Sequence, residues 1–202
     1  MLESYIEPLL QYVHQHPTLG LVMAFVFAFA EALPLLGTVV PGSVTMTAIG
    51  AMVGAGILPG FETILWTALG AYTGDCIGFW IGKHYKDHLR NVWPFKKHPN
   101  WLAKSEVFFE RHGGKSIIIG RFVGPIRSTI PMVGGLLNMR WAVFLLAAII
   151  AAILWSIVYM LPGFLLGALS VELPAGKATE FMVIGLIIIS LIWLMLWLLK
   201  LS

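Results

Sequence analysis

The chain has 202 residues, of which 58% are hydrophobic and only 11% are charged, whereas an ordinary soluble domain carries about 25% charged residues. This composition excludes disorder, argues against a water-soluble globule and suits one integral membrane domain. The net charge of +3 does not indicate nucleic-acid binding, because membrane proteins collect Lys and Arg in their cytoplasmic loops.

Long stretches without Asp, Glu, Lys or Arg predict the membrane spans. A helix crosses about 30 Å of hydrocarbon with about 20 apolar residues. The predicted spans are Leu19–Ala30 with His14–Thr18 at the interface, Thr63–Gly82, Trp141–Val171 and Phe181–Leu199. The candidate interfacial anchors are Trp155, Tyr159, Trp193 and Trp197. The sequence therefore indicates an all-α polytopic membrane protein with about four transmembrane helices.

Two further segments, about 32–61 and 116–139, are apolar but contain too many helix breakers for one straight helix. We interpret each as a re-entrant helical hairpin. The residues that shape the hairpins are Pro34, Pro41, Gly42, Pro125, Pro131, Gly134 and Gly135. Irregular backbone at membrane depth must be buried in protein or line a wet cavity, because lipid cannot form hydrogen bonds with it.

This layout divides the chain into an interfacial segment over residues 1–18, a membrane domain over 19–170, and an outer loop with a C-terminal transmembrane helix over 171–202. With the N-terminus inside, the two hairpins enter from opposite faces and form an inverted repeat. Both termini are then cytoplasmic, and Lys177 is the one basic residue outside. The basic residues placed inside are Lys83, Lys86, Arg90, Lys96, Lys97, Lys104, Arg111, Lys115, Arg140 and Lys200. That asymmetry agrees with the positive-inside rule.

Three groups of residues resemble the motifs of a known family. The most specific is Gly120-Arg121-Phe122 followed by Pro125, Arg127, Pro131, Gly134, Gly135 and Met139. Phe29-Ala30-Glu31-Ala32-Leu33-Pro34 with Pro41-Gly42 forms the second, and Gly74-Asp75 with Gly78, Gly82 and Lys83 forms the third. Over roughly Leu19–Ala168 the chain resembles the DedA family of bacterial membrane proteins, also called the SNARE-associated or VTT domain.

The resemblance implies two re-entrant hairpins and a role in moving lipids across a bilayer. It implies a location in the bacterial inner membrane and a substrate such as undecaprenyl phosphate or an anionic phospholipid, with transport coupled to protons in several relatives. It also implies functional roles for Glu31, Arg121 and Arg127. Ser43 stands where the family has a second acid, so Asp75 is the remaining candidate for that role.

Arg121 and Arg127 carry the strongest chemical signal. An Arg at membrane depth is unfavourable by about 2.5 to 3.5 kcal/mol and persists only where it faces protein, water or an anion. A planar guanidinium suits bidentate phosphate binding, and we expect the break at Pro125 to let both side chains face one cavity. The alternatives are that both arginines pair with Glu31 and Asp75 as structural ion pairs, or that they snorkel to the inner surface. Glu31 and Asp75 are accordingly each a candidate proton site or counter-ion.

Other function classes find less support. Ser43, Ser128 and the histidines form no recognised catalytic constellation, and there is no phosphate-binding Gly-Lys-Ser/Thr loop, so we expect no enzyme and no cofactor. We interpret the pair His84 and His88 as surface residues and expect no metal site. A proton-coupled small-ion transporter and an envelope-integrity scaffold remain alternatives, and a homo-oligomer is left open.

Overall fold

The computed structural model describes residues 15–34, 36–39, 42–86, 107–123 and 127–171, and these are helical with short connections and no strand. The predicted all-α class is therefore confirmed. Pro41, Pro125, His88, residues 1–14 and the predicted span Phe181–Leu199 lie outside the described residues.

The helices occur in the order expected from the apolar stretches and the breakers. They are α1 (Pro17–Ala32), α2 (Leu36–Val39), α3 (Gly42–Gly54), α4 (Gly60–His84), α5 (Lys115–Arg121), α6 (Ile130–Leu136) and α7 (Trp141–Val171). Residues 107–112 are also helical.

In both predicted hairpin segments, the described residues form short helices with non-helical residues between them. In the first, α1 ends at Ala32, Pro34 lies in the bend, and Gly42 begins α3. In the second, α5 ends at Arg121, and α6 begins with Pro131 in its first turn, where a proline removes no intrahelical hydrogen bond. Breaks in the helices are thus confirmed at Pro34 and before Pro131, the predicted breaks at Pro41 and Pro125 lie outside the described residues, and the re-entrant path of each segment stays a prediction.

Helix α7 is apolar on every side. Among the described residues, it is the one helix that is both long and apolar enough to cross a membrane, over Trp141–Ser170. Its buried face carries Ala147, Ala148 and Ala151, whereas Leu146 on the other side is 68% exposed. An exposed face built from Leu and Ile side chains suits contact with lipid. The number of membrane spans stays a prediction.

The described chain divides into two compact units, and each long helix contributes to both of them. Unit 1 holds the described parts of Met1–Phe27, Pro41–Thr67 and Ser156–Ser202, and unit 2 holds those of Ala28–Val40 and Ala68–Trp155.

In unit 1, glycines bring α3 and the second half of α7 into backbone contact. A Cβ atom at Gly50 would overlap the carbonyl oxygen of Met160, and one at Gly163 would overlap that of Thr47. Helices approach this closely in membranes where glycine leaves the backbone uncovered.

In unit 2, the same kind of contact joins α6 to α4. A Cβ atom at Gly82 would overlap the carbonyl oxygen of Met132, and one at Gly135 would overlap that of Phe79. Gly82 of α4 therefore serves close helix packing. This contact fixes the second predicted hairpin against the helix that carries Asp75.

Candidate functional site

The first element of the site is a buried ion pair between α4 and α5. Arg121 is the last residue of α5, and its Nη1 donates a hydrogen bond to Oδ2 of Asp75. The side chains are 7% and 1% exposed, respectively. Gly120, next to Arg121, lets α5 pack closely on α6, since a Cβ atom there would lie 2.7 Å from Cγ1 of Ile130. The pair satisfies each charge in surroundings that would otherwise strongly disfavour it.

A second ion pair lies in the same unit. Nη2 of Arg127, in the turn before α6, contacts Oε1 of Glu31, near the end of α1. Glu31 is buried and Arg127 is mostly buried. Each of the two predicted arginines therefore has its own carboxylate partner.

The indole ring of Trp155 lies beside both guanidiniums. The Cζ atom of Arg121 is 5.1 Å from the ring centroid, and the Cζ atom of Arg127 is 5.9 Å from it. Both distances fall within the range of cation–π attraction. Trp155 is 1% exposed and belongs to α7.

These side chains line a small cavity of about 10 Å³, which suits about one water molecule. Its lining is formed by Glu31, Ala32, Asp75, Arg121, Arg127, Ser128 and Trp155. Two guanidiniums and two carboxylates give the cavity a formal charge of zero. Within the described part of the chain, Oε2 of Glu31, Oδ1 of Asp75 and Oγ of Ser128 have no hydrogen-bond partner. The two carboxylate oxygens can accept a proton, and all three oxygens can accept a new hydrogen bond, without breaking an existing one.

The two predicted hairpin segments meet at the edge of this cavity. A Cβ atom on Gly37 of α2 would lie 2.8 Å from Cβ of Ser128 and would overlap the backbone carbonyl oxygen of Glu31. Glycine is therefore required at this position, and it places the first segment beside the residue that follows Arg127.

The structure thus brings Glu31, Asp75, Arg121 and Arg127 together. Each arginine pairs with one acid, as in the ion-pair alternative that the sequence left open. Whether they bind lipid phosphate or carry protons stays a prediction. Of the hairpin-shaping residues, Pro34 and Pro131 lie at helix breaks. The side chain of Ser43 is not among the described ones.

The expectation that Trp155 and Tyr159 are interfacial anchors is wrong, because they are 1% and 5% exposed. Trp155 lies near the middle of the 31-residue helix α7, about 20 Å along it at 1.5 Å per residue. A residue halfway along a membrane span cannot lie at the interface. The position of Trp155 in the middle of the charge-free stretch could therefore have excluded the anchor role from the sequence alone. Ser128 was also missed as a site residue, although it directly follows Arg127 in the motif.

Comparisons with known proteins agree with the family resemblance that the sequence motifs indicate. The family model described as VTT domain matches residues 40–165. The inner membrane protein YabI of Escherichia coli K12 is 38% identical over 189 residues, which cover 93% of this chain and 74% of YabI. The uncharacterized membrane protein BU139 of Buchnera aphidicola subsp. Acyrthosiphon pisum is 34% identical over 95% of this chain and 75% of its own length. Protein DedA of Escherichia coli K12 is 28% identical over 68% of this chain and 66% of DedA. No solved structure matches the chain.

Proposed function

The chain belongs to the VTT domain family, which includes DedA, and is a membrane protein; from this premise we propose that it moves a phosphate-bearing lipid across the bacterial inner membrane. The proposed substrate class is a polyprenyl phosphate such as undecaprenyl phosphate, or an anionic phospholipid. The protein acts as a transporter rather than an enzyme, with both termini in the cytoplasm and two hairpins entering from opposite faces.

The observation that carries the proposal is that Arg121 and Arg127 line the same small cavity. An arginine among apolar helices is unfavourable by about 2.5 to 3.5 kcal/mol, and this protein places two of them beside one Trp ring. Guanidiniums bind phosphate and carboxylate through the same parallel N–H donors. The carboxylates of Asp75 and Glu31 therefore occupy donors that a lipid phosphate would use.

A cavity of about 10 Å³ is too small for a phosphate group, so binding requires the carboxylates to leave the guanidiniums. Protonation of Glu31 or Asp75 removes the attraction that holds each pair together. Lipid binding and proton binding are then linked, since each favours the separated arrangement. This linkage supports proton-coupled transport with Glu31 and Asp75 as the proton sites.

The proposal is tested in reconstituted vesicles that follow polyprenyl phosphate, phospholipid and cation flux in parallel. We expect the wild-type protein to move the phosphate lipid, and Arg121→Ala and Arg127→Ala to lower that rate at least about tenfold at equal folded protein. Arg140→Ala is the matched control, because Arg140 is exposed in the same unit.

The other outcomes separate the alternatives. Cation flux without lipid movement would identify a small-ion transporter, and no flux at all would indicate an envelope scaffold. Unchanged phosphate-lipid transport in both arginine variants would remove the proposed binding site.

A further inference from the structure

The indole ring of Trp155 lies beside both arginines of the cavity. The two guanidiniums at its ring come from different parts of the second predicted hairpin segment, since Arg121 ends α5 and Arg127 lies in the turn before α6. The ring reaches them from α7 and is almost completely buried. A single side chain on one helix therefore contacts both charged groups of a broken segment.

The physical effect of the ring differs from that of the carboxylates. A cation–π contact uses the electron-rich face of the indole and needs no N–H donor of the guanidinium. Asp75 and Glu31, in contrast, occupy those in-plane donors. The ring can therefore stay in contact with both guanidiniums while their donors change partners.

The ring also offsets the repulsion between the two guanidiniums. Two guanidiniums beside one small cavity repel each other once their carboxylates are neutralised, and the repulsion is strong where water is excluded. An aromatic face attracts cations without carrying a charge that a proton could remove. It therefore still attracts the arginines after the carboxylates leave.

We infer that Trp155 is a positioning residue, which keeps Arg121 and Arg127 together at the cavity while their N–H donors exchange carboxylate for lipid phosphate. This inference rests on the proposed function for its ligand. In this role Trp155, on α7, aligns the N–H donors of the two arginines and does not itself contact the phosphate.

The first test compares Trp155→Phe and Trp155→Met by transport of polyprenyl phosphate in vesicles. Because Trp is the best cation–π partner and Phe a weaker one, we expect the half-saturating lipid concentration to rise from wild type through Phe to Met, by about tenfold at Met. The matched control is Phe144→Met, since Phe144 is a fully buried aromatic on the same helix that stacks on Phe79. An equal rise in the control would overturn the inference.

The second test keeps the shape of the ring and so does not depend on whether Trp155→Met folds. Singly and multiply fluorinated tryptophans are placed at position 155 by site-specific incorporation. Fluorine withdraws electrons from the ring, so a cation–π role predicts a graded rise in the half-saturating concentration with each added fluorine. A constant value across the series would show that the ring acts only through packing.

A third measurement separates the inference from the proposed function. A small dicarbonyl reagent that modifies guanidiniums is applied to purified protein, and modification of Arg121 and Arg127 is followed by mass spectrometry. We expect faster modification with increasing fluorination and unchanged modification in Phe144→Met. If this pattern appears while wild-type protein moves no phosphate lipid, the proposed function fails and the positioning role stands; if modification is unaffected, the positioning role fails.

Discussion

Asp75 and Arg121, 46 residues apart in the sequence, form a buried ion pair that ties the end of α5 to the middle of α4. Breaking one side of such a pair leaves an uncompensated buried charge, so we expect Asp75→Asn to lower the free energy of unfolding by about 3 to 5 kcal/mol. Thermal unfolding in detergent, followed by circular dichroism, measures the change.

The double variant Asp75→Leu with Arg121→Leu is the control for this prediction. Removing both charges leaves none unpaired, so the double variant should be more stable than Asp75→Asn. If the two single losses simply add in the double variant, the residues are not energetically coupled.

Glu31 should govern the pH dependence of transport. Lowering the pH protonates the carboxylate, which releases Arg127 for phosphate, so the wild-type transport rate should rise as the pH is lowered. In Glu31→Gln no proton can be gained at this position, and the profile should flatten. Asp75, Arg121 and Arg127 line the same cavity, so Asp75→Asn is measured alongside to assign any remaining pH dependence.

The control for the pH series is Glu62→Gln, because Glu62 is exposed in the first turn of α4. This variant should keep the wild-type profile. A Glu31→Gln protein that also keeps it would exclude Glu31 as the coupling site.

Close packing of α4 against α6 should depend on Gly82. A Cβ atom there would overlap the carbonyl oxygen of Met132, so Gly82→Ala should reduce the free energy of unfolding by about 1 to 3 kcal/mol. Gly60→Ala is the matched control, because Gly60 is the first residue of the same helix. A Cβ atom there would meet only a side-chain methyl of Val53, at 3.2 Å. Equal losses in the two variants would mean that this contact does not hold the helices together.

The predicted topology is tested with single cysteines in a Cys76→Ala background. Lys177→Cys should react with an impermeant thiol reagent in intact cells, and Lys96→Cys should react only after permeabilisation. Reaction of both positions from the same side would exclude hairpins that enter from opposite faces.

Much of the helical layout could be predicted from the sequence. The bounds Trp141–Val171 follow from a long charge-free stretch, and the end of α5 follows from the prolines and glycines after Arg121. Arg121 and Arg127 could be identified as site residues because charges among apolar helices are unfavourable unless they have partners.

Which acid pairs with which arginine could not be predicted. The contact of Arg121 with Asp75 depends on how α5 packs on α4, and no local pattern encodes that arrangement. The contact of Trp155 with both arginines could not be predicted either, because an apolar helix gives no sign of which face meets a charge. Its contacts arise from long-range packing, which places both guanidiniums at one ring.

The binding role of the two guanidiniums is tested by comparing a polyprenyl phosphate with the matching uncharged polyprenyl alcohol, titrated against purified wild-type protein and the double variant Arg121→Gln with Arg127→Gln. We expect the wild-type protein to bind the phosphate at least about tenfold more tightly than the alcohol, and the double variant to lose this preference. Equal binding of the two lipids by wild-type protein, or an undiminished preference in the double variant, would contradict the assignment of Arg121 and Arg127 as the phosphate-binding pair.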